Sequence, residues 1–201
     1  MNREFWDERY GERFESYGRE PNDFVKAVAD RLPEGPVLCL AEGEGRNAIF
    51  LAERGHAVTA VDLSPVGLAN AAALAKERGV ALETVQADLA EYDVGEGRWA
   101  AIVSIWAHVP PAVRGPLHAR CVKALKPGGA FVLEAYTPRQ LECEGVGGPP
   151  VAELLMTPDG LREELAGLRF ETCHEIERDV AEGRYHTGPS ATVQVLAFAP
   201  E

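Results

Sequence analysis

Residues 37–62, VLCLAEGEGRNAIFLAERGHAVTAVD, constrain the fold more than any other stretch of the chain. Residues 37–40 are an unbroken apolar run, as in a strand buried on both faces. Ala41-Glu42-Gly43-Glu44-Gly45 interrupts it, and its two glycines permit a tight turn and the close approach of a ligand. Residues 46–54 set Ile49, Phe50 and Ala52 against polar neighbours in a helical pattern, and Gly55 sits where a C-terminal cap belongs. Residues 57–61 read as a second buried strand that ends in Asp62. Two parallel strands joined by a helix form a right-handed crossover, and ligands bind at the carboxyl ends of such strands. The glycine loop and Asp62 therefore fall on one edge. An acid at that point suits a ribose diol. The plainer alternative is a tight turn with an aspartate cap before Ser64-Pro65.

Gly43-Glu44-Gly45-Arg46-Asn47-Ala48 fits the G-x-G-x-x-A dinucleotide fingerprint, and it fits equally the looser loop of S-adenosylmethionine enzymes. Glu42 and Glu44 would repel a pyrophosphate but not a sulfonium or an ammonium. A chain of 201 residues is also short for a nicotinamide domain plus a substrate domain. An NAD(P)-dependent reductase is the rival reading, and a non-catalytic partner protein of the same fold is another.

The length fits one domain over 1–201, with residues 1–33 as a helical lid segment and 34–201 as a Rossmann-like core. A net charge of −12 argues against a nucleic-acid partner and against an anionic membrane surface. It is compatible with a small neutral or cationic substrate, and a small-molecule substrate and a monomer or homodimer are the expectations carried forward. The four cysteines show no C-x-x-C spacing, so neither a metal site nor a redox pair is expected. The charged N-terminus and the lack of a long apolar run make the cytoplasm the expected location.

Several further positions stand out. Phe5, Trp6, Tyr10, Phe14 and Tyr17 precede the first strand, either packed on the sheet edge or as a lid with Tyr10, Phe14 or Tyr17 against a substrate. Asn22 or Asp23 caps a helix bearing Val25, Val28 and Leu32. Ser64 and Pro65 start a helix that stops at Gly79. A strand over 80–86 follows, with Asp88 after it as either a ligand group or a turn cap. A strand over 99–106 runs into His108, whose ordinary pKa near ~6.5 suits proton removal; the alternative is a histidine that only fixes its loop. Trp106 is placed to wall a sulfonium by cation–π contact or to lie in the core. A helix over 113–125, a turn over 126–129 and a strand over 130–136 come next. Residues 137–156 read as a loop suited to covering a substrate. Strands over 168–180 and 191–199 enclose Glu182-Gly183-Arg184-Tyr185-His186, which makes Arg178, Tyr185 and His186 substrate candidates or parts of a solvated hairpin tip.

LCLAEGEGRNAIFLAERGHAVTAVDLS together with LKPGGAFVLEAY resembles class I S-adenosylmethionine-dependent methyltransferases, in particular the small tellurite-resistance and thiopurine-methyltransferase-like branch. The resemblance implies an α/β Rossmann-like fold, a seven-stranded mixed sheet of order 3-2-1-4-5-7-6 with helices on both faces. It implies methyl transfer from S-adenosylmethionine, leaving S-adenosylhomocysteine, to a thiol, chalcogen oxyanion or heterocycle. In this frame Gly43, Gly45 and Leu63 border the cofactor, Asp62 takes the ribose, and Asp88 and Leu89 read the adenine. Arg46 is the expected partner of the methionine carboxylate. The chain departs from the pattern at Cys39, where the family carries an acid, and at Ala41-Glu42, where it carries Gly-Cys. Glu42 is the expected substitute for the missing carboxylate.

Overall fold

The computed structural model describes residues 2–12 and 16–201; Phe14 lies outside them. One mixed sheet runs through the molecule in the order β3-β2-β1-β4-β5-β7-β6, as the resemblance implies. Its strands are β1 (Pro36–Leu40), β2 (Ala57–Asp62), β3 (Glu83–Gln86), β4 (Trp99–Ile105), β5 (Leu125–Tyr136), β6 (Arg169–Ala181) and β7 (Thr187–Phe198). The first five are parallel neighbours, and β7 runs antiparallel to both β5 and β6. The helices are α1 (Arg3–Glu12), α2 (Asp23–Val28), α3 (Arg46–Glu53), α4 (Pro65–Arg78), α5 (Pro111–Ala124) and α6 (Pro158–Glu164).

The unbroken apolar run of β1 has the cause inferred for it. Alternate side chains point to opposite faces of a strand. Leu38 and Leu40 enter one core with Trp99, Leu117, Phe131 and Leu161. Val37 and Cys39 enter the other with Val25, Ala48, Leu51 and Val103. Two helical layers thus cover the sheet. Cys39 and Cys121 are fully buried free thiols. Ser64 caps α4 by accepting from Gly67 N–H (3.1 Å), with Pro65 at its first position and Gly79 closing it at φ +73°.

Several boundaries differ from the sequence reading. Strand β3 starts at Glu83 rather than 80, because residues 80–82 lead in from α4 and the strand is a half-exposed edge. The 126–129 segment is an irregular stretch inside β5: Trp99 pairs with Leu125 and Ala101 already with Ala130. The β6–β7 ladder extends to Ala181 and Thr187, so the tip is shorter than expected. Among the described residues no helix is long and apolar enough to cross a membrane.

Candidate active site

Two elements of local chemistry build the floor of the site at the carboxyl ends of β1 and β2. Asp62 Oδ2 accepts from Gly43 N–H (2.9 Å) and Oδ1 from Ser64 N–H (2.8 Å), so the acid knits the glycine loop to the start of α4. Burial raises its pKa, against the lowering effect of those bonds. Glu42 Oε1 accepts from the N–H groups of Asn47 and Ala48, each at 2.9 Å, and so closes the N-terminus of α3. Burial outweighs these bonds and lifts the Glu42 carboxyl to about 7. Ala41 (φ +48°) and Trp106 (φ +56°) end β1 and β4 in left-handed conformations that cost a non-glycine residue of order 1–3 kcal/mol. Both face the same cavity. Strain of this kind concentrates at functional sites.

That cavity holds about 350 Å³. Glu42, Arg46, Asp62, Leu63, Asp88, Leu89 and Trp106 line it, which brings seven of the expected cofactor residues together. Asp88 is exposed, and its Oδ1 accepts from Ala90 N–H (2.9 Å) in a turn. Gly43 and Gly45 are absent from the lining. A side chain at Gly43 would fall 2.4 Å from the Tyr10 hydroxyl, and one at Gly45 would fall 2.7 Å from Ala71 Cβ. Their bareness therefore makes room for Tyr10 and for α4, a packing reason in place of the ligand approach expected.

The N-terminal segment closes over this edge. Asp7 accepts from the Ser64 hydroxyl (2.5 Å), the Tyr10 ring packs against Gly43 and Gly67, and Glu44 accepts from Ser16 N–H (2.7 Å). Tyr10 and Tyr17 both reach the cavity, and burial raises the pKa of each.

Arg46 also lines the cavity, but its Nη2 is paired with Glu182 (2.5 Å), and its Nη1 donates to the Glu20 carbonyl (3.2 Å). Glu182 is the centre of a buried polar cluster that sequence reasoning did not single out. It also accepts from Trp106 Nε1 (2.8 Å), Asn22 Nδ2 (2.9 Å) and Arg178 Nη2 (2.7 Å). Arg178 in turn forks onto Glu134, through Nε (2.9 Å) and Nη2 (2.8 Å). Arg178 does not line this cavity. It supports Trp106 from beneath, its guanidinium carbon 5.9 Å from the ring centroid, which replaces the substrate role expected of it.

His108 has neither ring nitrogen to spare. Nδ1 donates to the Leu154 carbonyl (3.0 Å), the arrangement required because Nε2 accepts from Tyr136 N–H (3.1 Å). Burial lowers its pKa to about 4. This geometry corrects the reading of His108 as a base and matches the alternative, a histidine that fixes its loop. His186 is placed differently. Its Nδ1 meets the Tyr136 hydroxyl (3.1 Å), and the ring stands edge-on to Tyr17 (4.9 Å) and tilted to Trp106 (5.0 Å). Burial, ahead of the nearby Arg46 charge, lowers its pKa to about 3, so the ring is neutral. Trp106 also stacks on Tyr136 at 4.4 Å. Among the described residues no group of three or more His, Cys, Asp and Glu side chains is arranged to hold a metal.

Comparison with known proteins places the fold among methyltransferases. A family model described as a methyltransferase domain matches residues 37–129. A 2-heptyl-1-hydroxyquinolin-4(1H)-one methyltransferase of Mycobacteroides abscessus is 27% identical over 141 residues, 69% of this chain and 62% of that protein. The matched region thus spans less than two thirds of that relative. Among solved structures, TehB from Haemophilus influenzae superposes with a TM-score of 0.74 at 17% identity, covering 96% of this chain and 67% of that one. The glycopeptide N-methyltransferase MtfA, solved in complex with S-adenosylmethionine, superposes with a TM-score of 0.61 at 22% identity, covering 90% of this chain and 95% of that one. At these identities the solved structures speak for the fold.

Proposed function

We propose that this chain, a class I S-adenosylmethionine-dependent methyltransferase by domain and fold, moves a methyl group from that cofactor to a small-molecule acceptor held beneath its N-terminal segment. The observation that carries the reading is the placement of Glu42. The helix N–H groups that would cradle a pyrophosphate already donate to this carboxylate, which also faces the cavity. The site is acidic where a dinucleotide needs positive charge, and it suits a ligand carrying a sulfonium and an ammonium. The nicotinamide reading loses its support here.

The residues present fit such a cofactor. Each carboxylate oxygen of Asp62 has a second lone pair after accepting one backbone N–H, so both ribose hydroxyls have an acceptor. Asp88 and Leu89, at the end of β3, border the space for an adenine. Glu42 stands in for the acid the family carries at Cys39, whose thiol is sealed in the core. Trp106 offers its ring face to a sulfonium. When bound, the cofactor supplies a methyl carbon already activated by positive sulfur. The chain then has to bind, align and exclude water, effects that together reach roughly 7–11 kcal/mol of a barrier.

Calorimetry with S-adenosylmethionine, S-adenosylhomocysteine, NADH and NADPH tests this reading. Micromolar binding of the first pair alone is expected. Binding of the nicotinamides, or of nothing by folded protein, would sink it. Asp62→Ala should weaken S-adenosylhomocysteine by about tenfold or more, the worth of a hydrogen bond to a charged group.

A further inference from the structure

A second chamber of about 300 Å³ opens beside the first. Trp6, Tyr17, Trp106, His108 and His186 belong to both, so these side chains form the doorway between them. Beyond the doorway, Phe5 and Tyr185 stand on one side and Val146, Gly148 and Pro149 on another. Among the described residues no carboxylate lines this chamber, in contrast to the four that line the first. The cationic side chain among its described lining residues, Arg9, is engaged: Nη1 donates to the Tyr17 hydroxyl (3.1 Å), and the guanidinium lies 3.8 Å over the Tyr185 ring. Gly148 is pressed against the Tyr136 ring, where a side chain would meet it at 3.0 Å, so the loop closes down on the aromatic stack.

We infer that this chamber is the acceptor subsite and takes a flat, uncharged aromatic molecule of one or two rings bearing a hydroxyl, thiol or ring nitrogen. The inference rests on the methyl-transfer reading and narrows its acceptor. Flat rings fit walls made of ring faces and edges. A chalcogen oxyanion needs an open cation or several converging donors, and the one cation among the described lining residues, Arg9, is already engaged. The polar group that meets the acceptor is His186: its Nδ1 is used by Tyr136, while Nε2 has no hydrogen-bond partner among the described residues. His186 therefore orients the nucleophilic atom at the doorway. In the transfer, a bond forms from that atom to the methyl carbon as the carbon–sulfur bond breaks. The bonding pair leaves with the cofactor's sulfur; a hydroxyl, thiol or ring N–H acceptor then gives its proton to water, and a ring nitrogen without a proton keeps the positive charge.

The test uses 2-naphthol as a neutral two-ring probe, with 2-naphthalenesulfonate as its anionic counterpart and selenite as an oxyanion. Binding is measured with saturating S-adenosylhomocysteine and again without it. The expected result is at least tenfold tighter binding of 2-naphthol than of either anion. Val146→Asp puts a carboxylate in the second chamber only. It should weaken 2-naphthol at least tenfold and leave S-adenosylhomocysteine within twofold. Because Val146 is 56% exposed, the variant should fold, and circular dichroism checks that it does. Equal or tighter binding of either anion, or 2-naphthol binding indifferent to Val146→Asp, overturns the inference. Failure of S-adenosylhomocysteine to bind, with 2-naphthol still sensitive to Val146→Asp, overturns the methyl-transfer reading while upholding the chamber's preference.

Discussion

Removing the charge of Glu182 should unseat the site from below. The carboxylate is 5% exposed and takes bonds or charge from Arg46, Arg178, Asn22 and Trp106. Burial alone would raise its pKa. Arg46, Trp106 and Arg178 together outweigh burial and hold it at about 2, against an ordinary 4.5. At about 1.4 kcal/mol per unit, that gap corresponds to roughly 3 kcal/mol of folding stability. The folded pKa is depressed, so this stability is present in full above pH 4.5 and is lost as pH falls toward 2. Glu182→Gln keeps the shape but leaves Arg46 buried without its paired carboxylate, while Arg178 retains Glu134. Breaking a buried pair costs about 3–5 kcal/mol, so the two estimates agree. Urea denaturation at pH 7 should show a loss of about 3 kcal/mol. The gap between wild type and variant should narrow as pH drops below about 4.5. Adding Arg46→Gln restores the charge balance, and the double variant should lose less than the two single losses combined. A loss under about 1 kcal/mol at pH 7, or strict additivity, would refute the view that this carboxylate holds Arg46 and Trp106 in place.

Three further outcomes follow from the same geometry. Glu42 titrates at about 7 because burial raises it, and a ligand ammonium favours its ionised form. S-adenosylhomocysteine affinity should therefore rise through pH 7 and level off, with binding at pH 6 about tenfold below the plateau; calorimetry should find Glu42→Gln flat over that range. Gly43→Ala forces a side chain against the Tyr10 hydroxyl at a residue of φ +60°. It should cost about 1–3 kcal/mol, measured by thermal unfolding, and make the segment around Tyr10 more open to protease. His108→Ala orphans Tyr136 N–H and the Leu154 carbonyl, so a loss of about 2–4 kcal/mol is expected. The shape of the pH–rate profile for transfer should not change, and a vanished limb would restore His108 as the base.

The parts of this molecule that follow from short-range chemistry were legible in the chain, and the parts made by distant contacts were not. An apolar run with no alternation declared β1 buried on both faces, and Leu38 and Cys39 indeed enter opposite cores. Topology alone makes Asp62 and the glycine loop neighbours, because a crossover unit brings two strand ends to one edge. His108 and His186 show where such reasoning stops. Both were histidines at the end of a strand or hairpin, and sequence offers no measure of what each nitrogen meets. Tyr136 N–H and the Leu154 carbonyl, 28 and 46 residues along the chain, settle the first; the Tyr136 hydroxyl, 50 residues away, settles the second. Glu182 is the extreme case, with Asn22 160 residues and Arg46 136 residues from it. An acid in a polar hairpin tip looks solvated until the tip is folded back onto α3 and Trp106. What the chain does carry is a constraint on that folding. Gly183, at φ +72°, approaches the Tyr17 and Gly18 backbone so closely that a side chain would fall 2.4 Å from it. The same contact seats Glu182 and His186 beside the site, so the glycine next to the acid is what makes the acid available.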